Sequence, residues 1–251
     1  MNTEPDAVGD LDWPPLEEAP AWGKVLAGIA LIHWGLIAPA IVGLILGVLF
    51  LAILDFRHPD TALTLGFLGL GVTYASGLGV VALGLFFCSQ APAVFRGRAF
   101  AQATLVLTFA AGSLIAVNFT LQALRPPWYL QLRATFAWLA PTVELVTWNC
   151  AGLAVIGGLL FVRSLAHHLG ETALTVGARR DIVWFCVWLV GLLVLSWLAD
   201  FLAIEAPWLS FLFVSWLLAG GAALMIDITR ITARLRHSIG RALKTSGFDV
   251  S

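Results

Sequence analysis

The sequence predicts an all-α fold: a polytopic membrane bundle of six transmembrane helices followed by a C-terminal amphipathic helix. Three observations predict it. Hydrophobic residues make up 60% of the 251 residues and charged residues only 12%, about half the share found in a soluble domain. Six apolar runs are each long enough to cross a hydrocarbon core about 30 Å thick as a helix. Basic residues are segregated between alternate connections. A chain this poor in charge cannot coat a globular surface, which excludes a disordered chain, a disulfide-stapled scaffold and a nucleic-acid module.

Residues 1–23 read as an acidic, disordered arm. Glu4, Asp6, Asp10, Asp12, Glu17 and Glu18 all precede Lys24, the first basic residue. A secretory signal needs a basic start before a short apolar core, and this arm has none. Residues 24–226 form the transmembrane domain. Its first span runs from Val25 to Leu54, with His33 as the sole ionisable group. The second covers about Thr61 to Cys88 and the third Phe100 to Leu124, both uncharged. The fourth covers Ala134 to Val162 and holds Glu144. The fifth covers Ile182 to Ile204, with Asp200 near its end, and the sixth covers Trp208 to Ile226. Barrel strands would alternate polar and apolar residues, and these runs do not.

Six crossings put both termini on one side. Eleven basic residues fall on that side, and Arg57, Arg125 and Arg133 fall on the other, which accounts for all fourteen. The positive-inside rule makes the terminal side cytoplasmic, so the expected location is the inner membrane. Trp128, Trp138, Trp197 and Trp208 are expected at the outer boundary, and Trp22, Trp184 and Trp188 at the inner one. Trp148 and Trp216 lie deeper and need packing partners.

Leucine gains little by leaving lipid for protein, so close backbone approach must hold such a bundle together. The second span supplies Gly71, Ala75 and Gly79, and beside them Gly69, Thr73 and Gly77. The sixth supplies Ala219, Gly220 and Gly221. Either a contact within the bundle or one between copies fits these faces. Pro39 and Pro141 remove backbone donors inside spans one and four, freeing the carbonyls of Gly35 and Ala137. Cys88, Cys150 and Cys186 have no metal-type spacing and read as core residues.

The segments KVLAGIALIHWGLI, FFCSQAPAVFRGRAFAQATLVL and FVRSLAHHLGETALTVGARRD resemble a group of uncharacterised bacterial multi-pass membrane proteins. The resemblance covers about the first two thirds of the chain. It implies a membrane bundle and assigns no activity or site residue.

Ionisable groups inside a span are costly and invite a functional reading. At roughly 1.5 Å per residue from their cytoplasmic charge markers, Glu144 and Asp200 stand roughly 28 Å up and Asn118 roughly 30 Å. Tyr74 of span two approaches the same layer. One reading is an ion or proton site: Glu144 binds and releases the ion, Asn118 and Tyr74 supply neutral ligands, and Asp200 attracts cations at the mouth. The other is a protonated Glu144 bonded to Asn118 or a backbone carbonyl, with Asp200 solvated. His33, roughly 13 Å up, and Asn149, roughly 21 Å up, are further intramembrane polar groups. A haem held between two histidines is not expected, because no second histidine stands at the depth of His33. His167 or His168 with Glu171 makes two metal ligands where a site needs three or four. No cofactor and no metal are expected.

Residues 227–251 carry an apolar stripe (Ile228, Ile231, Leu235, Ile239, Leu243) beside a basic one (Arg230, Arg234, His237, Arg241, Lys244). That pattern reads as an amphipathic helix on the inner leaflet, its basic stripe binding anionic lipid head groups. An acidic protein surface is the alternative. No Walker A, HExxH, GxSxG or dinucleotide motif occurs. The expected function is a non-enzymatic accessory or scaffold component, partnered by the bilayer and by a membrane protein or a second copy. The alternative is a small ion- or proton-coupled transporter using the Glu144 layer.

Overall fold

The computed structural model describes residues 18–53, 59–124, 139–202 and 207–245. These form six helices: α1 (Ala19–Ile53), α2 (Pro59–Cys88), α3 (Arg98–Leu124), α4 (Leu139–His168), α5 (Thr172–Leu202) and α6 (Pro207–Thr245). No strand occurs among the described residues. Each predicted span falls on its own helix. The last residues of the expected acidic arm are instead the first turn of α1, which begins at Ala19.

On length and composition, three stretches among the described residues are able to cross a membrane: Ala19–Leu46, Arg98–Val117 and Leu145–His168. The described apolar stretch of α2, Ala75–Cys88, is shorter. The sequence predicts six such spans. In α5 and α6 charged residues interrupt the apolar run, at Arg179, Arg180 and Asp181 and again at Asp227 and Arg230, and much of the remaining apolar length lies outside the described side chains.

Neighbouring helices pack in chain order, and α6 returns to α1, closing a ring. The α1–α2 seam is the tightest. A Cβ on Gly84 would lie 2.6 Å from the carbonyl oxygen of Gly28, and one on Gly28 would lie 2.6 Å from that of Gly84. A turn pair further along, the Pro39 ring seats against Gly77, and the Gly35 carbonyl points at the same glycine. Only glycine admits backbones this close. Of the small residues predicted on span two, Gly77 makes this contact and Gly79 faces open space. The contacting glycines are spaced by seven, Gly28 and Gly35 on α1 and Gly77 and Gly84 on α2, which is why a spacing-of-four search misses Gly28, Gly35 and Gly84. Between α5 and α6, Trp188 donates to the Trp216 carbonyl and Trp216 donates to the Trp188 carbonyl, each at 3.1 Å. Gly220 makes room for the Trp188 ring and Gly191 for that of Trp216.

The molecule divides at a rim. On one side lies a headpiece with a buried apolar core: Trp22, Val25, Phe95, Phe161, Leu165, Leu235 and Ile239 are at most 4% exposed. The charged side chains that are described, such as Lys24, Arg163, Arg234 and Arg241, lie in it or at the rim. On the other side large apolar side chains face outward. They begin at Trp34 on α1, Val183 on α5 and Ile226 on α6, and include Leu44 at 70% and Val106 at 67% exposure. A few large apolar residues on the headpiece side are also exposed, among them Val94, Phe100 and Val176.

Three sequence expectations change here. Of the three cysteines expected in the core, Cys88 is buried but Cys186 is exposed. Trp22 is a buried core residue, stacked on His168 with ring centroids 5.2 Å apart, rather than a boundary anchor. The tail is not a separate helix lying flat on the leaflet. α6 runs unbroken from Pro207 to Thr245, and its apolar stripe (Ile231, Leu235, Ile239, Leu243) fills the headpiece core. A stripe that covers protein cannot also lie in lipid. The α4–α5 connection is a tight Schellman turn: Gly170 (φ 70°) donates to His167 and Glu171 donates to Ala166. Gly170 is required there, because a left-handed backbone is strained with any side chain.

Candidate functional site: a basic groove and an apolar chamber flanking one helix seam

The α1–α6 seam has two faces. Its inner face helps enclose a chamber of about 250 Å³ within the ring. Apolar side chains such as Ile32, Leu78, Ile115, Ala151 and Val155 line it, and its polar lining is Thr104, Thr108 and Thr232. Each of these hydroxyls donates back along its own helix, to the carbonyls of Phe100, Thr104 and Thr229 at 2.7, 2.8 and 3.0 Å. With each hydroxyl hydrogen used within its own helix, the chamber offers water acceptor lone pairs but no donor, in an otherwise apolar wall.

The outer face is a groove of about 390 Å³. α6 contributes Arg236, His237, Arg241 and Lys244, and α1 contributes Leu26 and His33. His33 marks the wall between the two spaces, since its Nδ1 lies 3.0 Å from the Thr232 hydroxyl that faces the chamber. That hydroxyl already gives its proton to Thr229, so the His33 Nδ1–H is the donor. The positive charge is weakly compensated. Arg241 stands 3.9 Å from Glu171, whose Oε1 also accepts from Ser238 at 2.7 Å. Arg236 and Lys244 form no ion pair among the described residues.

A second polar cluster sits at the rim between α5 and α6. Arg180 reaches Asp227 at 2.9 Å and Asp181 at 3.4 Å, and Arg230 lies 3.8 Å from Asp227. Asp181 is 2% exposed, and its Oδ2 is buried without a hydrogen-bond partner. Burial pushes its carboxyl above the ordinary carboxylate value. Asp227 pushes the same way and Arg180 opposes both.

The predicted residues are distributed as follows. His237, Arg241 and Lys244 come together in the groove. Arg234 lines a neighbouring depression with Glu171 on the α5 side of α6, and Arg230 faces Asp227. Asn149 is exposed and donates to the Leu145 carbonyl at 2.7 Å, as an ordinary helical side chain does. The side chains of Tyr74, Asn118, Glu144 and Asp200 lie outside the described residues. Sequence reasoning missed Arg236, which breaks the spacing of the basic stripe. It also missed Asp181, for which an acid directly after two arginines at a span's edge was the available signal. Among the described residues no group of three or more His, Cys, Asp and Glu could hold a metal ion.

No family model, curated protein or solved structure matches this chain.

Proposed function

We propose that the protein is an integral inner-membrane protein that crosses the bilayer six times with both termini cytoplasmic. In this reading it is a non-enzymatic accessory or scaffold component. The rim supports the membrane assignment: outward-facing apolar side chains begin at Trp34 on α1, Val183 on α5 and Ile226 on α6, and the charged side chains described lie at or beyond that level. The observation that carries the scaffold reading over the transporter is the chamber. A permeation path needs polar groups facing inward, whereas here every hydroxyl lining the space is bonded back along its own helix. The face of α2 around Ala75, Ser76 and Gly79 is exposed, and it suits close approach by a helix of a partner or a second copy. The basic side of α6 meets anionic lipid head groups.

The test is proton uptake into vesicles under an imposed pH gradient. Wild type and Glu144→Gln give the same leak as empty vesicles. A wild-type uptake that Glu144→Gln abolishes overturns the scaffold reading in favour of the transporter. In parallel, Gly79→Leu disrupts association with a partner or second copy while leaving the melting temperature unchanged.

A further inference from the structure

We propose that the α1–α6 groove seats the head group of one anionic phospholipid of the inner leaflet, its acyl chains running down the outside of the same seam. The inference rests on the membrane reading above. It narrows a diffuse basic surface to one built seat.

Charge is the first argument. Arg236, His237, Arg241 and Lys244 converge on one concavity, and the sole carboxylate paired with any of them among the described residues is Glu171, at 3.9 Å from Arg241. A phosphodiester brings the negative charge and the acceptor oxygens that this donor set lacks. Position is the second argument. Helix faces repeat every seven residues or so. On α1 the face that carries Leu26 and His33 continues to Leu44, which is 70% exposed. On α6 the face that carries Ala233 and Gly240 continues to Ile226, 51% exposed. The basic groove therefore opens onto two apolar tracks, the layout of a head group above its chains. Trp34 sits beside His33, edge to face at 5.7 Å and 55% exposed, at the level where an indole meets head groups. The third argument is rigidity. The hydrogen bond to Thr232 holds the His33 ring, so the lower end of the groove exists before a lipid arrives.

A free phosphate would meet the same cations but would leave the apolar tracks bare, so the seat commits to a lipid. The competing occupant is the acidic leader of this chain, residues 1–17, whose carboxylates precede α1.

The experiment uses the full chain in nanodiscs of equal phosphatidylcholine and phosphatidylglycerol, with retained lipids counted by native mass spectrometry. Wild type keeps one phosphatidylglycerol in excess over phosphatidylcholine. Arg236→Gln with Lys244→Gln lowers that excess roughly 25-fold, at about five-fold per charge. Arg98→Gln with Arg163→Gln removes the same charge elsewhere on the headpiece and changes the excess by less than about two-fold, since screening confines the effect to near charges. Arg236→Lys with Lys244→Arg retains the excess. Should the double glutamine variant misfold, Lys244→Gln alone gives a loss of about five-fold.

Equal losses from the two glutamine pairs, or no phosphatidylglycerol excess in wild type, overturn the seat. An excess seen only after residues 1–17 are deleted assigns the groove to the leader instead. Flotation with neutral phosphatidylcholine vesicles separates the two levels. A chain that fails to insert overturns the membrane reading itself. A chain that inserts without an anionic preference overturns the seat alone.

Discussion

The headpiece and the belt are built from the same six helices and hold together by different physics. In the headpiece Trp22, Phe161, Leu165 and Leu235 are buried, and the described charged side chains other than Asp181 are at least partly exposed. Each such large side chain gains about 1.5–3 kcal/mol by leaving water. In the belt Leu44, Val106 and Val190 face out, and burying them against one another would gain little from lipid. The belt relies instead on contacts that lipid cannot replace: the Pro39 ring on Gly77 and the reciprocal Trp188–Trp216 hydrogen bonds. A single helix can serve both regimes. α6 changes from one to the other near Asp227, without a break in its backbone.

This contrast is open to direct attack, beginning with the largest expected effect. Leu235→Ala opens a cavity in the headpiece core and costs about 2–5 kcal/mol. Leu44→Ala in the belt costs less than about 0.5 kcal/mol, as outward-facing substitutions do. Thermal unfolding followed by size-exclusion recovery in detergent reads both, and equal losses would erase the distinction. Next, Gly84→Ala drives a methyl into the Gly28 carbonyl and costs about 1–3 kcal/mol. Gly79→Ala, with open space around it, is neutral in the same assay.

A smaller effect is expected at the tryptophan pair. Trp188→Phe and Trp216→Phe each remove one interhelical donor, worth about 0.6 kcal/mol on average in membrane bundles. A double-mutant cycle finds coupling between them, because each ring also shapes the other's seat over Gly191 or Gly220.

The smallest effect is the pH dependence of Asp181. Its folded-state carboxyl is raised above the ordinary value of 3.8, so the folded state holds the proton more tightly than the unfolded one. Wild-type stability therefore falls as pH rises from that value through the raised one. Asp181→Asn carries no charge to bury, and its advantage over wild type grows across the same window. Melting temperatures measured across that range check it, and an advantage that shrinks with rising pH contradicts the account.

The helices were legible in the sequence because apolar runs of this length leave the backbone few alternatives. Their relative heights were less legible. His33 reads as a lone polar group within a span, yet it meets Thr232, a residue placed in the tail beyond the membrane. Counting from Lys24 and from Ile226 sets the two residues apart, and nothing in either run signals that α1 and α6 overlap along the headpiece. The tail pattern was ambiguous for a related reason. A stripe of Ile231, Leu235, Ile239 and Leu243 serves equally well to enter lipid or to fill a protein core, and only the positions of α1 and α4 decide. At the candidate site His237, Arg241 and Lys244 were legible from their spacing. Arg236 and the contribution of His33 were not, because a groove is a property of two helices.

The most direct test is depth. Spin labels are placed singly at Leu44, Val106 and Val187 in the belt and at Arg234 and Val176 in the headpiece, after Cys88, Cys150 and Cys186 are replaced. In reconstituted vesicles the belt labels are expected to relax with oxygen and to ignore a water-soluble nickel chelate, and the headpiece labels to do the reverse. Nickel access at Leu44, Val106 and Val187 equal to that at Arg234 would contradict the account.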